Sequence, residues 1–363
     1  MSTRNNSMKV NTNDHPAKGR GIPGAYNTPD MSDAEYLDLI SSQLPEADRK
    51  PKDTLELVKS EYIACGRDKV LDKMCRRFVV HMLAKRNGRR DDGRVLIITG
   101  ESGAGKSTAI ERMLAEHPAL QPHARSFGIV KPVISVSLTG PCTLKILGRM
   151  ILREAGYPIR QKIEQGELWD MLPEQLHMKK VLIIHIDETQ HMLRHTESDQ
   201  ERKNLAKAFK GVMNYKAWPI SFIMSGMPGT TELARLDEQI ERRASFAFLP
   251  DISLPEERDL VVRIIRQLSD TGGLEARAII GSDIPERTAH AAKYRYGRTA
   301  QIVMGAIQIA LEQGDKTLSR DHFALFYLDH SHARGMDQMN PFLVDDWRRL
   351  EPGSFLINMR DIQ

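Results

Sequence analysis

VLIITGESGAGKST, residues 95–108, is the stretch that decides the fold of this chain. An apolar run is followed by the pattern G-x-x-x-x-G-K-S, and apolar residues then recur at helical spacing at Ile110, Met113 and Leu114. This order predicts a strand, a glycine-rich loop and a helix. Because glycine lets the loop curl, successive backbone N–H groups can point at phosphate oxygens, and the helix adds its positive N-terminal end. The stretch therefore predicts a phosphate-binding loop.

Nine consecutive residues of this loop are predicted to contact a nucleotide: Gly100, Glu101, Ser102, Gly103, Ala104, Gly105, Lys106, Ser107 and Thr108. Lys106 has the position of a catalytic lysine that reaches the β- and γ-phosphates, and the Ser107 hydroxyl has that of a Mg²⁺ ligand. The alternative interpretation is an ordinary glycine-rich turn between a strand and a helix.

A second apolar run, VLIIHIDE at residues 181–188, ends in two carboxylates. Such a run is typical of a strand buried in a parallel sheet, where an unpaired charge is costly. Mg²⁺ would supply the partner, so Asp187 is predicted to hold the metal directly or through water. Glu188 is predicted to orient and deprotonate the attacking water. Together the two motifs predict an ATP hydrolysis site with ATP and Mg²⁺ as cofactors; the alternative is a strand capped by an acidic surface pair.

The bulk composition excludes few classes. The chain has 363 residues, enough for a large core and two domains with tails, and its 40% hydrophobic and 28% charged residues are typical of a soluble globular protein. A net charge of +4 permits binding to nucleic acid without requiring it. No apolar run could span a membrane and no signal-peptide core begins the sequence, so we expect a cytoplasmic protein with no membrane partner.

The chain is predicted to have four regions. Residues 1–55 form a tail that is disordered to about residue 30 and contains a short docking helix near 32–43. Pro45 and Pro51 bracket a linker after that helix. Residues 56–250 form an α/β core, residues 251–332 a small all-α lid, and residues 333–363 a tail that could dock on a partner. Within the core, strands at about 94–99, 132–138, 181–187, 219–225 and 246–249 alternate with helices. This alternation predicts a parallel five-stranded sheet flanked by helices.

The lid is predicted from helical patterns only. Ser253-Leu254-Pro255-Glu256 has the pattern of a capping box with proline in the first helical turn. Further helices are expected near 285–296, 298–313 and 319–332. One polar residue is out of place in the core pattern: His185 lies inside the second apolar run and is expected to be a hydrogen-bonded core residue rather than a ligand.

A five-stranded phosphate-loop domain followed by a helical lid resembles the AAA+ ATPases. The resemblance implies a first-sensor residue at the tip of the strand after the Asp-Glu strand, where this sequence has Ser225. It implies an arginine finger before the last strand, either Arg242 or Arg243, which would complete the site of a neighbouring subunit and so requires self-association. It also implies a second-sensor arginine in the lid, Arg298. The alternatives are a solvated basic pair and an ordinary helix-start residue.

More narrowly, the chain resembles the TniB/TnsC family of transposition regulators over about residues 56–330. The resemblance is carried by EYIACGR at 61–67, LTGPCTLKILGR at 138–149, DETQH at 187–191 and MSGMP at 224–228. It implies that Tyr62 and Ile63 line the adenine site. It further implies assembly as a ring or filament on double-stranded DNA, target selection, and recruitment and activation of a DDE transposase, often with a TniQ-type adaptor. ATP hydrolysis would then disassemble the oligomer.

Two helices carry cationic stripes that could track a DNA backbone. The first stripe consists of Lys145, Arg149 and Arg153, with Thr143 at the helix start, and the second consists of Lys203, Lys207 and Lys210. In the resembling family the first of these helices lines the pore through which DNA passes. The alternative for each stripe is a solvated helix face.

Two other function classes stay open. One is an AAA+/STAND-type signalling ATPase that binds no DNA, which would usually bring fused sensor or repeat domains. The other is a replication loader-type ATPase, which would usually bring a winged helix after the lid, where too few residues follow position 332. We expect the transposition class ahead of both.

Overall fold

The computed structural model describes residues 31–126, 128–157, 163–193, 199–330 and 337–353. The disorder predicted over residues 1–30 lies outside these ranges. The helices are α1 Asp33–Ser42, α2 Glu46–Ser60, α3 Gly66–Leu83, α4 Lys106–Glu116, α5 Leu144–Glu154, α6 Gln165–Met178, α7 Gln190–Leu193, α8 Asp199–Met213, α9 Glu238–Glu241, α10 Arg258–Thr271, α11 Arg277–Ile280, α12 Ile284–Ala291, α13 Tyr296–Gln313 and α14 Arg320–His330. The strands are β1 Lys85–Arg86, β2 Arg89–Arg90, β3 Val95–Gly100, β4 His123–Arg125, β5 Gly128–Val130, β6 Val133–Ser137, β7 Ile183–Asp187, β8 Ser221–Gly226 and β9 Ala244–Leu249.

Five strands form one parallel sheet in the order β6-β7-β8-β3-β9. The five predicted strands are confirmed, with ends that shift by one or two residues. The register aligns Ile97 of β3 with Met224 of β8, and Ile186 of β7 with that same methionine. Because all five strands run the same way, their carboxyl ends bring Gly100, Asp187 and Ser225 to one edge, here called the catalytic edge.

The sheet is covered on both faces. Val95 and Ile97 of β3 belong to the core formed with α5, α6 and α8, whereas the alternate residues Leu96 and Ile98 belong to the core formed with α3 and α4. Side chains alternate between faces along a strand, so a strand with helices on both sides is apolar throughout. This explains why every residue of β3, β7 and β8 is buried.

Two short antiparallel hairpins were not predicted. Strands β1 and β2 pair across Asn87-Gly88, both with positive φ (52° and 81°), and β4 pairs with β5. Strands of two or three residues are too short to show an alternating pattern. The Asn-Gly dipeptide was nevertheless a usable signal, because both residues of a tight hairpin turn need positive φ.

The helical region after β9 has its own core, built from α10 to α14 with Val58 and Ile63 from the segment before the sheet. Helices α13 and α14 cross closely at Gly305, where an added Cβ would lie 2.0 Å from Phe326 Cε2. Phe342, from the described part of the C-terminal segment, is fully buried in this core, and Trp347 is 4% exposed. The aromatic side chains of that segment therefore pack inside the chain.

Three local predictions are corrected. Residues 46–60 form one helix through Pro51, so the linker predicted between Pro45 and Pro51 is wrong; the helix tolerates the loss of one N–H donor. In the capping-box segment, the Ser253 hydroxyl donates to Glu256 (2.9 Å), but helix α10 begins only at Arg258. The helix expected over 285–296 ends at Ala291, because Lys293 and Tyr294 have left-handed backbone conformations (φ 54° and 57°).

The chain divides at Lys50/Pro51 into two units. In the first, α1 confirms the short helix expected near 32–43 and begins with a capping box between Ser32 and Glu35. None of its residues is buried, and Tyr36, Leu37, Leu39 and Ile40 are exposed. Across the described ranges, no helix combines the length and the apolar character needed to cross a membrane.

Candidate nucleotide site

The loop between β3 and α4 has the backbone that its glycines allow. Gly103 and Gly105 both adopt left-handed conformations, with φ of 81° and 79°, which strain any residue with a side chain. Helix α4 begins immediately afterwards at Lys106, so its first N–H groups face the loop. This loop has the backbone geometry of a phosphate cradle.

Lys106 is only 5% exposed, and its Nζ donates to the Glu101 carbonyl oxygen at 3.2 Å. The side chain therefore folds back across the loop rather than extending into solvent. A buried ammonium needs compensating negative charge, because one neutral carbonyl does not offset its desolvation. Phosphate groups bound in the loop would supply that charge.

Asp187, at the end of β7, is the centre of a hydrogen-bond network. The Ser107 hydroxyl donates to its Oδ2 (2.6 Å), the Ser225 hydroxyl donates to its Oδ1 (2.5 Å), and the Glu188 backbone N–H donates to Oδ1 (2.9 Å). Burial raises the pKa of Asp187, but these donors outweigh burial and bring its pKa below the ordinary value. The carboxylate is therefore ionised at neutral pH, as a metal ligand must be.

The residues present fit a magnesium ion. Among the described residues, no group of three or more His, Cys, Asp and Glu could hold a metal without other ligands. Mg²⁺ does not require such a cage, since it is commonly bound by one or two protein oxygens together with substrate phosphates and water. The paired oxygens of Ser107 and Asp187, beside the phosphate loop, are a donor set of that kind.

Glu188 is held in place by a residue that the sequence did not single out. Its backbone is left-handed (φ 56°), which turns the chain sharply where β7 ends. The Gln190 side-chain amide donates to the Glu188 carboxylate, while the Gln190 oxygen accepts from the Met227 N–H at 3.1 Å. Gln190 thus ties the predicted base to the segment that follows β8. No short pattern marks such a role.

His185 is a hydrogen-bonded core residue, as expected. It is 4% exposed, and its ring nitrogens lie 3.2 Å from Ser135 Oγ (Nδ1) and 3.0 Å from Ser225 Oγ (Nε2). Burial lowers the pKa of His185 to about 4, so the imidazole is neutral at physiological pH.

The start of α13 lies directly against the phosphate loop. The Arg298 N–H donates to the Gly103 carbonyl oxygen (3.1 Å), and Arg298 Cγ would lie 2.7 Å from a Cβ added to Gly103. The preceding residue, Gly297, comes equally close, since a Cβ added there would be 2.8 Å from that same carbonyl oxygen. Arg298 therefore lies beside the loop, and its role as a second sensor stays a prediction.

Arg67, at the start of α3, also contacts the loop and was missed. Its guanidinium stacks 3.7 Å from the centre of the Tyr296 ring, and its Nη1 donates to the Ala104 carbonyl oxygen. Its Nε and Nη2 are buried and have no hydrogen-bond partner among the described residues. A half-buried arginine with two spare donors beside a phosphate loop is suited to an anion. Its only sequence signal was its place in the 61–67 segment.

A cavity of about 300 Å³ lies between the start of α3 and the lid, lined by Gly66, Arg67, Ile252, Leu260 and Tyr296 among others. Tyr62 and Ile63, which were predicted to line the adenine site, do not line this cavity. The Tyr62 hydroxyl donates to Asp68 (2.6 Å), and Ile63 is 3% exposed within the lid core.

The two candidate arginine fingers differ sharply. Arg243 donates to Asp92 Oδ2 (2.7 Å) and to Asn214 Oδ1 (2.6 Å), which fixes the start of β9. The Arg242 side chain is 69% exposed, and its nearest acidic partner, Glu238, is 4.0 Å away. Of the two, Arg242 can reach a neighbouring molecule by giving up only this long contact, whereas Arg243 would have to break two short hydrogen bonds.

The first cationic stripe lies on α5 and the second on α8, and they are here called the α5 stripe and the α8 stripe. On α5, Leu147, Ile151 and Leu152 face the core, Arg153 is exposed, and Lys145 and Arg149 are half-buried. Thr143 caps this helix, since its hydroxyl oxygen accepts from the Ile146 N–H (3.3 Å).

The α8 stripe is weaker than predicted. Lys203 and Lys207 are exposed, whereas Lys210 Nζ pairs with Asp237 Oδ2 at 2.8 Å. Lys210 is thus engaged within the chain, while the contact between Lys145 and Glu164 is looser at 3.7 Å.

Residues 89–234 match the family described as AAA domain. Among solved structures, the chain is similar to the ORC2 protein of Aeropyrum pernix in its ADP form (17% identity, TM-score 0.54, 75% of this chain and 71% of that chain). It is also similar to the ORC1 protein of Aeropyrum pernix in complex with DNA (16%, 0.55, 77% and 70%) and to Cdc6p of Pyrobaculum aerophilum (10%, 0.54, 76% and 70%). No curated protein sequence matches the chain. The fold is therefore the AAA+ P-loop fold, and residues 89–234 are similar to the AAA domain family.

Proposed function

We propose that this chain is an ATP-dependent, DNA-binding regulator of DNA transposition that assembles on double-stranded DNA and disassembles on ATP hydrolysis. The observation that carries the ATPase assignment is the network in which Ser107 and Ser225 both donate to Asp187, with Glu188 at the next position. Helix α4 supplies Ser107 and strands β7 and β8 supply Asp187 and Ser225, and no requirement of the core calls for two hydroxyls on one buried carboxylate.

The chemistry follows from the side chains in place. Lys106 and the backbone N–H groups of the loop bind the β- and γ-phosphates, while Ser107 and Asp187 hold Mg²⁺. When bound, Mg²⁺ neutralises charge on the phosphate oxygens. Glu188 orients a water molecule and accepts its proton as the new P–O bond forms and the bond to ADP breaks. Ser225 and Gln190 keep the two carboxylates apart and correctly aimed.

The arginine finger makes assembly part of the mechanism. Arg242 is exposed and precedes β9, whose first residue pairs with Val95 at the opposite end of β3 from the phosphate loop, so we assign it to the site of a second copy. Nucleotide binding then favours the oligomer because it completes the interface, and hydrolysis weakens the same contact. The ring and the filament are both compatible with this arrangement.

DNA binding is supported by the cations of the α5 stripe, of which Arg153 is exposed and Lys145 and Arg149 are half-buried. The Aeropyrum pernix ORC1 structure, of the same fold, contains DNA. The contacts would be made to phosphates, so we expect salt-sensitive binding with little sequence preference. The narrower role in transposition, with a DDE transposase and a TniQ-type adaptor as partners, is supported by the four sequence segments that resemble the TniB/TnsC family.

Electron microscopy of the full chain tests the assignment. The protein is imaged with a slowly hydrolysed ATP analogue, with ADP, and without nucleotide, each with and without double-stranded DNA. We expect rings or filaments that require both the analogue and DNA. Oligomers indifferent to DNA would favour the signalling class instead, and absence of nucleotide binding to the loop would refute the ATPase assignment.

The transposition role is tested separately. The assembled protein on DNA is incubated with a DDE transposase encoded beside it, with and without the TniQ-type adaptor. We expect the transposase to be retained on DNA and to join ends preferentially near the oligomer. Equal joining with and without the protein would contradict the role while leaving the ATPase assignment intact.

A further inference from the structure

His185 lies directly beneath the catalytic edge, between two serine hydroxyls. Ser135 is its register partner on β6, and Ser225 lies at the end of β8 on its other side. The imidazole is buried, as is Ser225, so these polar atoms must satisfy one another. Ser225 is fully buried among the apolar residues of β8, whereas Ser135 is exposed on the edge strand β6.

The number of available protons fixes the direction of the two hydrogen bonds made by the Ser225 hydroxyl. The carboxylate of Asp187 only accepts, so the 2.5 Å contact with Ser225 uses the one proton of the Ser225 hydroxyl. Ser225 Oγ must therefore accept in its 3.0 Å contact with His185, and Nε2 carries the hydrogen. On the other side of the ring, Nδ1 lies 3.2 Å from the Ser135 hydroxyl, and the assignment at Ser225 does not depend on this contact.

We propose that His185 is a positioning residue that aims the Ser225 hydroxyl at Asp187. The Nε2–H holds the Ser225 oxygen in one rotamer, so the hydroxyl proton is directed at Oδ1, and Oδ2 is left to Ser107. The inference rests on the proposed ATPase function, because its consequence is a preorganised carboxylate at the Mg²⁺ site. Without the N–H donor, Ser225 is free to rotate and Asp187 loses one of its two hydroxyl partners.

Two substitutions separate the roles of the ring nitrogens. The side-chain nitrogen of glutamine lies as many bonds from Cα as Nε2 of histidine, whereas that of asparagine lies as many as Nδ1. His185→Gln therefore keeps a donor for Ser225, and His185→Asn keeps only a group facing Ser135. Ser135→Ala is the matched control, because it removes the contact on the other side of the ring.

The first measurement is independent of catalysis. Nitrogen-15 NMR of the full chain, with labelled histidine and the His185 signal assigned from its loss in His185→Gln, reports which nitrogen is protonated. We expect the Nε2–H form. The Nδ1–H form would overturn the proposal, whether or not the protein hydrolyses ATP.

The second measurement is the binding of Mn²⁺, as a spectroscopic probe for Mg²⁺, in the presence of a slowly hydrolysed ATP analogue. His185→Asn is expected to weaken Mn²⁺ binding by about tenfold or more, since partners behind a metal ligand typically contribute that much. His185→Gln and Ser135→Ala should stay within about threefold of the parent. Thermal unfolding of each variant checks the fold. Equal Mn²⁺ affinity in folded His185→Asn and His185→Gln would overturn the proposal.

Discussion

The catalytic edge and the cationic stripes place charge in opposite ways. At the edge, Asp187 is buried and accepts three hydrogen bonds from fixed donors on separate elements. On the stripes, Lys203, Lys207 and Arg153 are exposed, and the Lys145 pair with Glu164 is loose at 3.7 Å. The carboxylate at the edge is therefore held in one position, whereas the exposed side chains of the stripes are not.

The difference sets what each region can do. A hydrogen bond to a buried charge stabilises by about 1.5–3 kcal/mol, and breaking it leaves a desolvated partner. A surface ion pair contributes about 0–1 kcal/mol and is screened by salt. Changes at the edge should therefore act on catalysis and depend little on salt. Changes on the stripes should act on DNA affinity, leave turnover unaltered and fade as salt is raised.

Arg242 is expected to give the strongest effect, and it does not fit this division. Its side chain is exposed in one chain but would be buried against the catalytic edge of a neighbouring chain. Arg242→Ala should lower ATP hydrolysis by the assembled protein by about 10³-fold while leaving thermal stability unchanged. Arg243→Ala should instead lower stability by about 1–3 kcal/mol, since it loses Asp92 and Asn214. Phosphate release and urea unfolding measure both. The reverse pattern would assign the finger to Arg243.

Glu188, at the catalytic edge itself, is expected to give the next strongest effect. Glu188→Gln should reduce turnover on the order of 10²-fold, because an amide cannot accept the water proton. Nucleotide binding should persist, so the variant should stay assembled on DNA. Glu174→Gln, on the exposed face of α6, is the control and should hydrolyse ATP normally. Normal turnover by Glu188→Gln would remove this residue from its assigned role.

The third effect tests the α5 stripe. Charge reversal at Lys145 and Arg149 should weaken binding to double-stranded DNA by about tenfold or more at low salt, with the loss shrinking as salt is raised. ATP binding and thermal stability should be unaltered. Fluorescence anisotropy with labelled DNA at several salt concentrations is the measurement. Affinity that is unchanged by the reversals, or by salt, would make this stripe a plain solvated face.

The smallest effect separates two lysines of α8. Lys210→Ala should leave DNA affinity unchanged but lower stability by less than about 1 kcal/mol, because Lys210 pairs with Asp237. Lys207→Ala, on the exposed face of the helix, should weaken DNA binding and leave stability unchanged. DNA affinity by anisotropy and unfolding by urea distinguish the two. A loss of DNA affinity in Lys210→Ala alone would contradict this division.

The pair also predicts a pH dependence. The Lys210 hydrogen bond lowers the pKa of Asp237 below its ordinary value of 3.8. A carboxyl group whose pKa is lower in the folded state stabilises above its unfolded pKa, and that contribution is lost as the pH falls through the folded value. The stability difference between the parent and Lys210→Ala should therefore be present at pH 7 and disappear in strong acid. A difference that persists there would show that packing, not charge, links the two residues.

Much of the sheet and of the catalytic edge could be predicted because the signals are local. The phosphate loop needs glycine at fixed intervals, and a strand buried on both faces needs an unbroken apolar run, so Gly103, Gly105 and Asp187 lie where the patterns placed them. The linker between Pro45 and Pro51 was wrong for the complementary reason, since one proline is a weak signal inside a helix stabilised by its other residues.

The order of strands and helices, the phosphate loop and the acidic pair could be predicted from the amino-acid sequence, because periodicity and turn geometry depend on consecutive residues. Only the folded chain shows that the Arg242 side chain is exposed and that Lys210 pairs with Asp237. It also shows that Arg67, Gln190 and His185 contact Ala104, Glu188 and Ser225. Most such contacts join residues far apart in sequence: Arg67 and Ala104 are 37 positions apart, and Arg243 and Asp92 are 151. Pairings over such distances follow from the sheet topology, which no short pattern encodes.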